Sequence, residues 1–170
     1  LQANYEDAAG GGNIGQVVST TKTDTWSESV ASGAFSGIVT GLTVAITPSA
    51  TSSKILIIVN GVLSAGSGAQ NVGFGLFRDT TQIDLGDAAS SRQRMSKGKT
   101  QTGDVDYVAF FSTNHLDSPS STSELVYGIK TASSSSLTKT NYINRSVDDT
   151  DNTYTNGRSA STITAMEVLA

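Results

Sequence analysis

The sequence predicts an all-β protein, a β-sandwich of jelly-roll type with about eight antiparallel strands. Three observations carry this. Apolar residues recur with period 2 in several short runs, as in Leu42, Val44 and Ile46, where polar or small residues stand between them. Ser and Thr together exceed a quarter of the 170 residues, with 17 Gly and only 15% charged residues, a mixture that favours strands and turns over helices. The length suits one domain, and 36% apolar content is enough to fill one core.

Leu1 to Gly15 is weakly apolar and passes through Gly10-Gly11-Gly12, so it reads as a flexible arm or linker, with one sandwich domain over 16–170. Gln16 to Trp26 is rich in β-branched residues and gives the first strand. Trp26, the sole tryptophan, reads as core or interface packing. The stretch Ile38 to Val62 reads as a core hairpin: GIVTGLTVAI, the turn TPSATSSK, and the run Ile55 to Val59, which is apolar on both faces and so predicts a fully buried strand.

Val72 to Phe77 alternates, with Phe74 and Leu76 on one face and Gly73 and Gly75 on the other. Space on the glycine face suits an aromatic such as Trp26. Arg78 to Gln82 leads into Ile83 and Leu85, a second hairpin, and Gly86 to Gly103 reads as a long polar loop. Strands follow at Val105 to Phe111, Leu125 to Ile129, Tyr142-Ile143 and Ser161 to Leu169. The segment STNHLDSPSSTSE joins the first two of these as a connection.

Composition narrows function. A net charge of −4 and a pI near 4.8 argue against nucleic acid, which needs clustered Lys and Arg. The one basic cluster, Arg92 to Lys99, reads as a solvated loop in which Arg92 and Arg94 can also meet carboxylates at a subunit contact. Without Cys there is no disulfide framework and no thiolate metal site. No apolar run approaches the ~18 to 20 residues of a membrane span, and the first residues lack the basic and apolar regions of a signal peptide. The start at Leu1 reads as a fragment or a processed product.

Catalytic chemistry finds little support. His115 is the only histidine and no G-x-S-x-G elbow accompanies it. Gly98-Lys99-Thr100 lacks the upstream glycine of a phosphate loop. Two well-placed carboxylates would suffice for a glycosidase, and spacing in a β-fold does not reveal them. The expectation is a protein that is not an enzyme and takes no cofactor.

The densest polar run, Asn144 to Asn152, offers Asp148, Asp149 and Asp151 as weak candidates for Ca²⁺. A turn held by side-chain bonds and by pairing with Arg145 or Arg158 is the preferred reading. Asn144-Arg145-Ser146 also fits a glycosylation sequon. Glu167 lies among apolar residues of the last strand and should need a cationic partner or an edge position.

Six segments give the chain a resemblance: VVSTTKTDTW (Val17 to Trp26), GLTVAITPSATSSKILIIV (Gly41 to Val59), GDAASSRQR (Gly86 to Arg94), LDSPSSTSELVYGIK (Leu116 to Lys130), YINRS (Tyr142 to Ser146) with DTDN (Asp149 to Asn152), and GRSASTITAMEV (Gly157 to Val168). With these it resembles a family of phage structural proteins, found especially among marine and cyanobacterial phages, in tail fibres and related virion proteins. The resemblance implies a virion location and no catalytic residues. The expected strand order is also similar to that of the trimeric C1q and tumour-necrosis-factor-like jelly rolls.

That second likeness implies a homotrimer, with Phe74, Tyr107, Phe111, Tyr127, Met166 and Glu167 as interface candidates. Loop tips without the family's pattern supply receptor candidates: Ser67, Gln70, Asn71, Lys97, Lys99, Ser134 and Ser135. The expected partners are further copies of the chain, other virion proteins and a host surface glycan. The competing expectation is a head-decoration, tail or filament subunit whose arm pairs with a neighbour's sheet edge.

Overall fold

In the computed structural model the described residues are 13–66, 70–102, 105–133, 137–151 and 156–169, with the backbone alone described at 70, 98–102 and 133. They form strands only, with no helix among them: β1 Ile14–Lys22, β2 Trp26–Val30, β3 Thr43–Ile46, β4 Lys54–Ala65, β5 Gln70–Arg78, β6 Thr81–Ile83, β7 Lys97–Thr102, β8 Ala109–Asp117, β9 Leu125–Ser133, β10 Lys139–Ile143 and β11 Ser161–Val168.

Eight of these strands pair as a doubled-back chain. β1 pairs with β11, β3 with β9, β4 with β8 and β5 with β7, all antiparallel. First therefore meets last, second meets seventh, third meets sixth and fourth meets fifth. Rolled up, this long hairpin gives two sheets, β1-β11-β4-β8 (sheet A) and β3-β9-β5-β7 (sheet B), the order of an eight-stranded jelly roll. The short strands β2, β6 and β10 extend it. β4 is the spine of sheet A: its first half pairs with β11 up to Asn60 and its last residues pair with β10 from Leu63, while β8 runs along its other edge.

Period-2 alternation places the core between the sheets. Ile55, Ile57 and Val59 of β4 and Ile163 and Ala165 of β11 face Val44 and Ile46 of β3, Val72, Phe74 and Leu76 of β5, and Tyr127 and Ile129 of β9. Each large apolar side chain removed from water here contributes roughly 1.5–3 kcal/mol. Phe74 and Phe111 meet across the sheets with ring centroids 4.8 Å apart.

The structure changes several expectations. β3 and β4 are not a hairpin: they lie in different sheets, and TPSATSS is the corner between them. A tight turn brings two strands close but does not dictate that they pair. Lys97–Thr102, expected in a loop, pairs with β5. The strand expected from Val105 begins at Ala109 and runs through Asp117, because Ser112, Asn114 and Leu116 hold the solvent side of a half-buried edge strand. The arm boundary expected at Gly15 falls inside β1, which begins at Ile14. The β5–β6 hairpin forms as expected, with Leu76 opposite Ile83.

The glycine face of β5 is filled by Phe35. A Cβ at Gly75 would stand 3.0 Å from the Phe35 ring and 2.8 Å from Gln82 Nε2, and one at Gly128 would stand 2.8 Å from Ile38. The segment carrying Phe35 and Ile38 therefore covers the outside of sheet B. Phe35 also packs edge-on against Phe77 at 5.4 Å. Trp26 instead packs against the core cluster from β2, opposite Ile143.

Candidate interaction surface

Sheet A presents an outward face that is exposed at the end carrying Ile14, Val17 and Leu116, whereas Val62 and Ser64 at the far end of β4 are buried, with Ser64 Oγ donating to Arg145 O at 2.9 Å. Its register aligns Val17 of β1 with Met166 of β11, Met166 with Leu56 of β4, and Leu56 with Leu116 of β8. Four apolar side chains thus form one row across four strands, with neighbouring strands ~4.8 Å apart. Val17 is 54% exposed and Leu116 47% exposed. Ile14 opposite Val168 extends the row at one end, and Ile58 adjoins it on β4. Leu56 and Ile58 are only half-buried, which corrects the expectation that Ile55 to Val59 is enclosed on both faces.

Towards the other end of β4 the same face turns polar. Thr21, Thr162, Asn60 and Ser112 align across the four strands. Beyond them Phe110 stands 83% exposed near the start of β8. Among the described residues no strand pairs with the far edge of β8, and Ala109–Asp117 contains no Lys or Pro of the kind that guards free edges.

Of the interface candidates, Phe74, Phe111, Tyr127 and Glu167 are buried within the chain's own core, which corrects their assignment to a subunit contact. Alternation groups residues on one face without telling whether that face turns inward. Tyr107 is exposed and Met166 belongs to the outward row. Sequence reasoning missed Val17, Leu56 and Leu116; the apolar residues on both faces of the β4 run were the available signal.

Glu167 has neither the cation nor the edge position expected. It sits 2% exposed and accepts hydrogen bonds from the Ser49 backbone N–H and hydroxyl, both 2.6 Å, and from Gln16 Nε2 at 2.9 Å. The Ser49 bonds, then that from Gln16, hold its carboxyl down to about 2, against the opposing effect of burial.

At the same end of the sandwich Asp117 joins the two sheets. Its Oδ2 accepts from Arg78 Nη1 of β5 at 2.7 Å and from the Tyr127 hydroxyl of β9 at 2.8 Å. Burial, then the Asp117 carboxylate, pushes the Tyr127 phenol far above its ordinary value.

The acidic run is engaged by its own neighbours. Asp149 pairs with Arg145 and, at 2.7 Å, with Arg158, and these guanidinium groups, Arg158 foremost, lower its pKa. Asp148 accepts from the Thr150 hydroxyl and from its backbone N–H at 3.1 Å, which lowers it too. No group of acidic or histidine side chains among the described residues converges on a metal position, and Asp151 is exposed. The sequon fails on geometry: Asn144 is fully buried and its Nδ2 donates to Lys22 O at 2.8 Å and Asp24 O at 2.9 Å.

His115 Nδ1 lies 3.6 Å from Asp84, whose other oxygen accepts from Thr113 at 2.9 Å. No serine hydroxyl joins them among the described residues. Arg94 bonds Gly86 O at 2.6 Å within its own loop, and Arg92 is exposed. Among the receptor candidates, Asn71 and Lys97 are exposed on β5 and β7. Gln70 and Lys99 have described backbone only, and Ser67, Ser134 and Ser135 lie outside the described residues.

No protein-family model matches the sequence, and no curated protein matches it. Among solved structures, that of infectious bursal disease virus Gx strain is 13% identical, with a TM-score of 0.45 over 91% of this chain and 37% of its own. Infectious bursal virus derived T=1 particles are 9% identical, with a TM-score of 0.45 over 91% and 40%. The VP2 subviral particle of infectious bursal disease virus is 11% identical, with a TM-score of 0.40 over 91% and 42%. The chain thus spans about two fifths of the length of these proteins. Its jelly-roll assignment rests on its own strand order.

Proposed function

We propose that this chain is a non-enzymatic structural protein of a phage virion, a tail-fibre type domain that assembles as a homotrimer and contacts the host surface. The carrying observation is the row Val17–Met166–Leu56–Leu116. β4 has the composition of a strand covered on both faces, yet Leu56 and Ile58 on the outer face of its first half are only half-buried. A second copy is the occupant that this row supports best, since four uncharged side chains in register offer apolar area and no charge for a polar ligand to read. The phage resemblance of the sequence supports the virion setting, outside the cell, with other virion proteins as neighbours.

Light scattering coupled to size exclusion tests the proposal. The full chain should elute with three times the monomer mass, and Leu56→Lys should reduce it to a monomer with an unchanged far-ultraviolet spectrum. A wild-type monomer at micromolar concentration would overturn self-association.

The free edge of β8 favours one alternative. In a head-decoration, tail or filament subunit, an arm from a neighbouring copy would add a strand there. Deleting residues 1–12 separates the two: the trimer survives deletion, whereas an arm-linked assembly larger than a trimer falls apart.

A further inference from the structure

Phe110 is the most exposed large apolar residue in the described chain, at 83%, and it borders a recess of about 390 Å³ on the outward face of sheet A. This volume falls within the ~300–1,000 Å³ of small-molecule sites. Asn60, Gly61, Val62, Phe111, Ser159 and Ala160 line it together with Phe110. Among the described residues no charged one lines it. Ser112 lies two residues along β8 from Phe110, on the same face and directly opposite Asn60.

Val62 and Ser159 of this lining are both bonded to one buried residue. Asn144 donates its backbone N–H to Val62 O at 3.1 Å and accepts Ser159 N–H on its own carbonyl at 3.1 Å. Ser161 Oγ accepts from Val62 N at 3.2 Å and donates to Asn144 Oδ1 at 2.6 Å. The recess is therefore set before any ligand arrives, which lowers the ordering cost of binding.

We infer that the Phe110 recess is a binding subsite for a neutral pyranose unit of a surface glycan. The inference rests on the reading of a host-contacting protein and moves the contact from the loop tips to the end of sheet A. A pyranose has an apolar C–H face and a rim of hydroxyls. The open Phe110 ring offers the stacking partner. The Asn60 amide supplies two donors and an acceptor, and the hydroxyls of Ser112 and Ser159 add both roles. The uncharged lining formed by the described residues matches a neutral sugar and gives a carboxylate or phosphate no counter-charge. The apolar row lies at the opposite end of the sheet, so self-association leaves the recess open.

The test is an NMR titration of the isotope-labelled full chain with methyl α-D-glucopyranoside, methyl α-D-mannopyranoside, methyl β-D-galactopyranoside and N-acetylglucosamine. At least one sugar should shift the Asn60 side-chain amide, the Gly61 amide and the Phe110 ring together, with a Kd on the order of 1 mM. Phe110→Ala should weaken that sugar about tenfold, with Asn60→Ala also weaker and the solution mass unchanged in both. If none of the four sugars shifts these signals, the inference falls. If Phe110→Ala lowers the oligomer mass, the recess is a subunit contact and the inference falls as well. A Leu56→Lys monomer that still binds the sugar supports the recess independently of self-association, which Leu56 alone tests.

Discussion

Ser49 closes on Glu167 with two 2.6 Å hydrogen bonds, one from its backbone N–H and one from its hydroxyl, fastening the β3–β4 corner to the inner face of β11. The pair carries a pH dependence. Glu167 has a folded value of about 2, below its ordinary value, so its carboxylate adds stability that is fully present above the unfolded value of 4.5 and is lost as pH falls towards 2. Glu167→Gln keeps the shape but turns donors against donors, and should lower stability at pH 7 by about 1–3 kcal/mol. Urea denaturation at pH 7 and pH 3 checks both points: the gap between wild type and variant should narrow at pH 3. An equal gap at both values would mean that the charge of Glu167 plays no part.

Gly75 and Phe35 make a second matched pair. Since a Cβ at Gly75 would stand 3.0 Å from the Phe35 ring, Gly75→Ala should cost about 1–3 kcal/mol by forcing the ring off the outside of sheet B. Phe35→Ala removes the obstacle, so the double variant should be less destabilised than the sum of the singles by about 0.5 kcal/mol or more. Additive single effects, measured by denaturant unfolding, would show that Phe35 and Gly75 do not press on one another.

The alternation of Leu42, Val44 and Ile46, the β5–β6 hairpin and the final strand were legible because each is a local pattern that tertiary structure preserves. The β3–β4 corner was not, since the turn residues Pro48 to Ser53 suit a hairpin and a sheet-to-sheet corner equally. β7 was hidden because KGKTQT has no apolar alternation: it is an edge strand of sheet B, and its pairing with β5 has no sequence signal. The burial of Glu167 without a cation was hidden for a related reason. Its partners Gln16 and Ser49 are 151 and 118 residues away in the chain, and only the fold brings them together. Pairing of the acidic run with Arg145 and Arg158 was legible because all three segments lie within one loop.

Asp117, Arg78 and Tyr127 predict an ordered series. Tyr127→Phe removes one donor and should cost about 1 kcal/mol. Asp117→Ala leaves the partly buried guanidinium and the buried phenol without their acceptor, and should cost about 3 kcal/mol. Arg78→Met in the Asp117→Ala background should recover part of that loss, because the uncompensated charge goes with it. Thermal unfolding of the three variants checks the order, and equal losses for Tyr127→Phe and Asp117→Ala would contradict a shared acceptor.

Asn144 concentrates two requirements in one side chain. Its φ of 65° lies in the left-handed region, where Asn and Gly are tolerated and other residues are strained. Its amide donates to Lys22 O and Asp24 O while its Oδ1 accepts from Ser161, tying the β1–β2 connection to β11 where β4 passes from one partner strand to the next. Asn144→Gly relieves the backbone and loses the bonds, for about 1–3 kcal/mol. Asn144→Ala loses the bonds and adds the left-handed penalty, roughly 1–2 kcal/mol more. Comparing the two by urea denaturation separates the contributions, and equal stability of the Gly and Ala variants would show that the backbone conformation carries no cost. In the sugar titration, Asn144→Gly should also weaken binding at Phe110 while leaving the ring exposed, because the Ser161 hydroxyl that accepts from Val62 N–H loses its Asn144 Oδ1 acceptor, although the backbone bonds of residue 144 to Val62 and Ser159 remain.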